Sequence, residues 1–214
     1  MTLRVLSRAV LSLSLALSAG MVAAQSEPGT DRLPAGTVPD LSGVDSRVFG
    51  LLELQRIIRG FQIAPVDLDL HGKNPALVGL GSYIVNAQGG CNDCHTNPSF
   101  APGGNPHLGE PKQINADRYL AGGTTFGPVI TSRNLTPDEN GRPAGLTFAQ
   151  FRQVMRTGKD LKNLPPFIPS AANDLLQVMP WPVYGEMLDH DLRAIYEFLR
   201  AIPPLEGFPE KPAR

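Results

Sequence analysis

Near the middle of the chain stands Cys91-Asn92-Asp93-Cys94-His95, which holds both cysteines of the sequence and a histidine directly after the second. Two thiols separated by two residues can add to the two vinyl groups on one edge of a porphyrin. The next residue then lies under the ring, where its imidazole can reach the iron. This motif is typical of c-type haem attachment. We therefore predict one covalent haem c, with Cys91 and Cys94 as its thioether links and His95 as the proximal iron ligand.

Three other uses of the cysteine pair remain open from the residues alone. A thioredoxin-like redox pair has the same spacing, but it needs a βαβ setting that the sequence does not show. A zinc site needs four ligands, and the chain has no second cysteine pair. A disulfide between Cys91 and Cys94 would close a very small loop and stabilise little. Haem attachment is the favoured interpretation.

The first 24 residues have the pattern of a secretory signal peptide. Two arginines give a positive start, an apolar run covers residues 9–22, and small residues precede a cleavage site before Gln25. An uncleaved membrane anchor is the alternative, but the run is short for a full span. Export agrees with the haem motif, since bacteria join c-type haem to protein outside the cytoplasm. The expected location is therefore the periplasm.

Composition limits the other function classes. The chain has 214 residues, which suits one globular domain with extra segments, and its 22 glycines and 21 prolines predict long loops. Without residues 1–24 it has 17 basic and 20 acidic residues, and this balance gives no reason to expect nucleic acid as a partner. No other segment is long and apolar enough to cross a bilayer, so no permanent membrane span is expected after cleavage.

The region before the haem motif divides into a linker and an extension. Residues 25–40 hold several turn-forming residues and are interpreted as a flexible linker. Residues 41–74 form an N-terminal extension with one helix, which Gly60 should end. The helix either packs on the next domain, the favoured alternative, or docks on a partner. Apolar and long side chains recur in it near helical spacing, at Val44, Val48, Leu51, Leu52, Gln55 and Ile58.

A second helix is predicted from Pro75 to Gln88, with proline at its first position. Gly79 and Gly81 are costly inside a helix and often allow another backbone to approach closely. The pair Gly89-Gly90 should end this helix just before the first cysteine.

Regular patterns are sparse after the motif, from Thr96 to Gly145, apart from a strand-like run at residues 124–131. Thr136 and Thr147 each begin a capping-box pattern, which predicts a helix start. The second should open a helix that reaches Thr157 and ends at Gly158. A final amphipathic helix should run from Asp189 to just before Pro203, with Glu197 on its exposed face and an apolar stripe at Leu188, Leu192, Ile195, Leu199 and Ile202.

Met179 is the first choice for the distal iron ligand. It lies in a proline-stiffened loop, Met179-Pro180-Trp181-Pro182, where Trp181 and Tyr184 could cover the haem edge and hydrogen-bond a propionate. A lone methionine is usually a packing residue, which is the alternative. The other candidates are weaker: Met155 and Met187 as core and helix-entry contacts, His107 as a bis-His ligand, and His71 and His190 as solvated side chains.

The order of elements resembles the class I cytochrome c superfamily over residues 75–204. Residues 134–138, 148–158 and 179–184 look like the haem domains of cytochrome subunits in bacterial membrane-bound dehydrogenases. The resemblance implies an all-α, cytochrome c-like helical domain around one covalent haem, with long loops, an extra N-terminal helix and a C-terminal tail at residues 205–214. Alcohol dehydrogenase subunits of this kind carry three haem motifs and a C-terminal anchor, and this chain has one motif and no such tail.

The resemblance also implies details of the site. The first and last helices of the domain should cross beside the haem, with Gly81 and Tyr196 at the crossing. His95 should donate its other ring proton to a backbone carbonyl, for which Pro102 is a candidate.

The expected function is electron transfer, not bond chemistry. A His/Met haem has both axial positions filled, which favours a one-electron carrier. The partners would be a dehydrogenase or quinol-oxidising complex as donor, and a terminal oxidase or another cytochrome as acceptor. A haem-based sensor or small haem enzyme with an open axial position is the alternative. An interaction module that docks through the helix at residues 41–60 is a third class, and it can coexist with the first.

Overall fold

The computed structural model describes residues 32–44, 46–127, 130–161 and 175–207; the predicted signal peptide lies outside them. Helices dominate this part of the chain, and its strands form only two small two-stranded sheets, so the all-α prediction is confirmed. No helix among the described residues is long and apolar enough to cross a membrane. The helices are α1 Ser46–Ile63, α2 Pro75–Tyr83, α3 Cys91–His95, α4 Phe148–Thr157, α5 Trp181–Tyr184 and α6 Asp189–Ala201.

Helix α2 lies between α1 and α6 and forms the centre of the fold. The Asn74 side chain caps it by accepting from the backbone amides of Ala76 and Leu77, and proline occupies its first turn as predicted. Gly79 faces α1, and Gly81 faces α6, where a Cβ would stand 1.9 Å from the carbonyl oxygen of Ala194. The expectation that these glycines admit other backbones is confirmed.

Gly60 does not end α1, contrary to the prediction. The helix continues to Ile63, and a Cβ at Gly60 would stand 1.8 Å from the carbonyl oxygen of Gly79. Gly60 is therefore a helix-crossing residue: its missing side chain lets the backbones of α1 and α2 touch. The buried Ser82 hydroxyl donates to the Gly60 carbonyl at 2.7 Å and ties the two helices together.

The predicted apolar face of α1 is wrong in its details. Ile57 and Phe61 are fully buried against α2, whereas Leu51 and Leu52 are 78% and 76% exposed. Gly50 interrupts the helical backbone with a φ of 60° and a ψ of 159°, so the residues before it do not continue the same helical face. The helix packs on the rest of the domain, as favoured, but through its second half.

The predicted linker, residues 25–40, contains a structured segment. β1, Arg32–Leu33, pairs antiparallel with β2, Leu68–Asp69, and the Ala35 amide donates to the Asp67 carboxylate at 2.8 Å. Residues 32–35 therefore belong to the folded domain, because the segment after α1 offers them backbone and side-chain partners. Residues 25–31 of the linker lie outside the described residues, and residues 36–40 form no helix or strand.

The long loop after the haem motif contains short regular pieces. Turns of 3₁₀ helix occupy Pro106–Leu108 and Ala116–Arg118. The predicted strand-like run is an antiparallel pair, β3 Thr125–Phe126 with β4 Ile130–Thr131.

No helix begins at Thr136, and that capping-box prediction is wrong. Its hydroxyl hydrogen-bonds the Asn134 side chain and backbone atoms of Leu205, so it cannot cap a helix. The Asp138 carboxylate instead accepts from the amides of Asn140 and Arg142 and closes a turn. Leu205, assigned to the C-terminal tail, therefore also packs onto the domain.

The last two long helices follow the predictions. Thr147 and Gln150 form a reciprocal capping box at the start of α4, and Gly158 ends it with a φ of 67°. Helix α6 buries the expected apolar stripe except Leu188, which is exposed because it precedes the first turn. Glu197, expected on the exposed face, is 8% exposed and pairs with Arg200 at 2.8 Å.

Candidate functional site

The haem-motif residues stand on α3, a short helix that directly follows α2. The end of α2 widens into one π-helical turn, Ile84–Gln88, and Gly89 closes it with a 2.7 Å hydrogen bond to Ile84. Gly90 has a φ of 59°, a conformation that glycine adopts without strain, and it reverses the chain into α3. One helical turn then places Cys91, Cys94 and His95 close together, and both thiols are free.

The His95 ring is fixed by a backbone carbonyl. Its Nδ1 lies 2.8 Å from the carbonyl oxygen of Arg133, so Nδ1 carries the proton and donates. The expectation of a carbonyl acceptor is confirmed, but Pro102 is the wrong residue. Burial lowers the pKa of His95, against the opposing effect of the Arg133 hydrogen bond. The ring is therefore neutral at physiological pH and has Nε2 left as a ligand atom.

Gly122 makes the contact between His95 and Arg133 possible. Its amide donates to the His95 carbonyl at 2.7 Å. A Cβ at Gly122 would stand 2.5 Å from the carbonyl carbon of Arg133, and its φ of 77° also favours glycine. The Arg133 backbone can approach α3 only because this side chain is missing. Two further hydrogen bonds, from Gly123 to Ser132 and from Leu135 to Leu120, hold the segment in register.

The surroundings of the two thiols raise their pKa values and so do not activate them as thiolates. Burial raises the pKa of Cys91 to about 12, and burial, followed by the Asp93 carboxylate, raises the pKa of Cys94. Redox-active cysteines have the opposite environment, in which positive charge lowers the thiol pKa. Among the described residues, no three His, Cys, Asp or Glu side chains come together to hold a metal ion. These observations do not favour the redox-pair and zinc alternatives.

The Met179 loop is built against the end of α4. Met179 is partly buried against the hydrophobic core, and its carbonyl accepts from the Trp181 amide at 2.8 Å. The Trp181 ring lies directly over Gly158, where a Cβ would stand 2.3 Å from the ring. Its Nε1 donates to the Leu176 carbonyl at 3.2 Å, and the Leu176 amide donates to the Gly158 carbonyl at 2.8 Å.

Tyr184 joins the Met179 loop to the haem motif. Its hydroxyl donates to the carbonyl of Gly89, two residues before Cys91, at 2.6 Å. Burial is the main cause that raises the pKa of Tyr184, and the neighbouring Cys91 and Cys94 add to it. The polar hydrogens of Trp181 and Tyr184 are thus donated to backbone carbonyls, which assigns both side chains to holding the loop. Their contact with the haem edge or a propionate stays a prediction.

The remaining candidates lie elsewhere. Met155 is a buried core residue, as expected, and Met187 is partly buried against the same core. His107 is exposed, with its ring centroid 6.0 Å from that of Phe100. His71 and His190 are exposed, as expected.

Sequence reasoning missed four residues that support the site. Tyr119 is fully buried beside Cys91 and donates to the Asn86 carboxamide oxygen at 2.6 Å. Arg133 supplies the carbonyl for His95, and its guanidinium pairs with Asp160 at 2.5 Å. Tyr119, Arg133 and Asp160 lie far from the motif along the chain. Asn86 lies close to the motif, in the extension of α2, so helical periodicity could have indicated its position.

The donor set fits a covalent haem. Two free thiols stand one helical turn apart beside a neutral imidazole whose orientation is fixed, so the residues offer the thiols and the nitrogen donor that the motif requires. Together with the helices that cross at Gly81, the site is compatible with a cytochrome c-like domain.

Comparisons with known proteins support this class. The chain is 29% identical over 133 residues to the gluconate 2-dehydrogenase cytochrome c subunit of Pantoea cypripedii, a match that covers 62% of this chain and 25% of that protein. It is 27% identical over 133 residues to the cytochrome c subunit of the quinone alcohol dehydrogenase of Gluconacetobacter polyoxogenes. This match covers 61% of this chain and 23% of that protein. The cytochrome c subunit of the same type of enzyme in Komagataeibacter europaeus is also 27% identical over 133 residues, with the same coverage.

These similarities support a relationship to cytochrome c subunits of dehydrogenases. The chain spans about a quarter of the length of these relatives. No family model and no solved structure matches it.

Proposed function

We propose that this protein is a periplasmic, mono-haem c-type cytochrome that carries one electron at a time from a dehydrogenase or quinol-oxidising complex to a terminal oxidase or another cytochrome. One observation carries the proposal. The imidazole that follows the two thiols is held in its ligand tautomer by the Arg133 carbonyl at 2.8 Å, although Arg133 is 38 residues away. A tautomer fixed in this way is the arrangement that metal-binding histidines require.

Each residue of the site has one task in this function. Cys91 and Cys94 would hold the cofactor through thioether bonds, and His95 Nε2 and the Met179 sulfur would be its axial ligands. When bound, the haem supplies a one-electron iron couple, whose potential an axial methionine raises relative to histidine. Tyr184 ties the Met179 loop to Gly89, so the loop is held close to α3.

The relatives suggest the donor. Their names describe cytochrome c subunits of gluconate and alcohol dehydrogenases. A dehydrogenase is therefore our first choice of electron donor. Because this chain has one Cys-x-x-Cys-His stretch, it would contribute one haem to such an electron path.

Absorption spectra of the purified protein test the ligand assignment. The ferric protein should show the weak long-wavelength band of a sulfur-ligated haem, and the alkaline pyridine assay should give one c-type haem per chain. Met179→Ala should lose this band. Met187→Ala is the matched control, since Met187 is also partly buried against the core, and it should keep the band.

Two results would contradict the proposal. If His95→Ala kept the native spectrum, the attachment site would be assigned wrongly. If the reduced wild-type protein bound carbon monoxide rapidly, its iron would have an open position, as in a sensor or a small haem enzyme. Detection of the protein in the periplasmic fraction, and its reduction by an added dehydrogenase, test the location and the donor.

A further inference from the structure

We propose that the ion pair between Arg133 and Asp160 couples the two predicted axial ligands, and that Asp160 is a positioning residue for both. The inference rests on the proposed function. It adds that one short segment, residues 158–160, holds His95 and the Met179 loop at fixed positions relative to each other.

The first half of the connection leads to His95. Arg133 accepts the His95 Nδ1 hydrogen bond with its backbone carbonyl, and its guanidinium reaches Asp160 at 2.5 Å. The two side chains are only 20% and 15% exposed, so water screens this pair far less than an ion pair on the surface. Because the carbonyl and the guanidinium belong to one residue, the ion pair ties the residue that orients the imidazole to Asp160.

The second half leads to Met179. Gly158, two residues before Asp160, accepts from the Leu176 amide at 2.8 Å, and the Trp181 ring packs on its α-carbon. Next to this hydrogen bond, Lys159 forms an isolated antiparallel β-bridge with Leu175. The Trp181 amide in turn donates to the Met179 carbonyl at 2.8 Å. The segment at residues 158–160 therefore contacts chain on both sides of Met179.

The chemistry of the ligands makes this coupling useful. A thioether is a weak iron ligand, and its bond depends on how firmly the protein holds it in place. A largely buried pair of charged, hydrogen-bonded side chains has few alternative geometries, since losing the partner leaves a charge with little access to water. The Arg133–Asp160 pair can therefore keep the loop against the cofactor without any direct contact with the iron.

Competition between Met179 and added imidazole measures how firmly the loop is held. Asp160→Asn keeps the shape of the side chain but removes its charge. We expect the ferric variant to bind imidazole roughly tenfold more tightly than the wild type, the effect expected when one charged hydrogen bond is lost. Its reduction potential should also fall, because weaker methionine ligation favours the ferric state.

Asp69→Asn is the matched control. Asp69 also forms an ion pair, with Lys73 at 3.1 Å, and the substitution changes the net charge by the same amount. This pair lies beside the β1–β2 sheet, and no contact joins it to the Met179 loop among the described residues. Imidazole affinity and potential should stay at the wild-type values in the control.

Several outcomes would overturn the inference. Wild-type imidazole affinity in Asp160→Asn would show that the pair does not hold the loop, and an equal change in Asp69→Asn would reduce the effect to net charge. If Asp160→Asn does not accumulate as holoprotein, Arg133→Lys replaces it, since lysine keeps the charge but loses the planar fork; an unchanged affinity there also counts against the inference. A wild type without the sulfur band would instead refute the Met179 assignment itself.

Discussion

The α-carbon of Gly81 packs against the backbone of Ala194, so closely that a Cβ would stand 1.9 Å from the Ala194 carbonyl oxygen and 2.7 Å from the Phe198 Cβ. Here helices α2 and α6 cross without side chains between them. The residues that lead to α3 and its cysteines are fixed relative to α6 by this contact. Tyr196, the other residue expected at the crossing, is buried in α6 and donates to the Leu146 carbonyl at 2.9 Å.

Gly81→Ala should lower the free energy of unfolding by about 1–3 kcal/mol, the range for overpacking a closely packed interior. The neighbouring atoms are mostly backbone and cannot move aside without separating the helices. Urea denaturation of the holoprotein measures the change. Gly43→Ala is the control, since a Cβ there meets nothing within 4 Å, and it should leave stability nearly unchanged. A Gly81→Ala variant as stable as the control would mean that the helices cross at a greater distance.

Truncation at two positions in α1 distinguishes its packed half from its exposed half. Ile57 is fully buried against α2, and Ile57→Ala should cost about 2–5 kcal/mol, because it leaves a cavity. Leu51 is 78% exposed, and Leu51→Ala should change stability by no more than about 0.5 kcal/mol. Thermal unfolding of both variants provides the comparison. Equal losses would show that α1 also packs through its first half.

Removing the Tyr119 hydroxyl should disrupt a partly buried chain of hydrogen bonds. This hydroxyl donates to the Asn86 side chain, which in turn donates to the Ser82 carbonyl at 3.0 Å. Tyr119→Phe leaves a half-buried carboxamide oxygen without its donor and should cost about 0.5–1.5 kcal/mol. Tyr83→Phe is the control, because within the described part of the chain the Tyr83 hydroxyl has no hydrogen bond. If both substitutions cost the same, the hydrogen bond between Tyr119 and Asn86 would contribute nothing specific.

Acid should weaken the contact between α4 and α6. The Arg156 guanidinium lies 2.7 Å from the Asp189 carboxylate, and the Arg152 guanidinium lies 2.8 Å from it. Together they hold the pKa of Asp189 below its usual range. A carboxyl whose pKa is lower in the folded state contributes stability above its unfolded pKa and loses it as the pH falls through the folded value.

Asp189→Asn should therefore be less stable than the wild type at neutral pH, and the two should converge in acid below the usual aspartate range. The effect should be small, since these side chains are largely exposed. Urea midpoints at the two pH values measure it. A difference between the two proteins that does not change with pH would rule out this ionisation as its cause.

Several features were predictable because they depend on neighbouring residues. The Cys-x-x-Cys-His spacing, the proline start of α2, the capping box at Thr147 and the glycine stop at Gly158 are all local. The failed predictions used the same kinds of signal. Gly60 resembles a helix stop and Thr136 resembles a cap, but each meets a partner far away in the chain, Gly79 and Leu205 respectively.

The sequence by itself therefore determined the spacing of the haem motif, the helical class, the start of α2 and the boundaries of α4 and α6, since thiol spacing, capping and helical periodicity act over a few residues. Only the tertiary structure decided that Arg133, not Pro102, accepts the His95 hydrogen bond. It also decided which half of α1 is buried and that Asp160 pairs with the residue that orients His95. These contacts join residues tens of positions apart, and they form where glycines at helix crossings and turns let one backbone approach another.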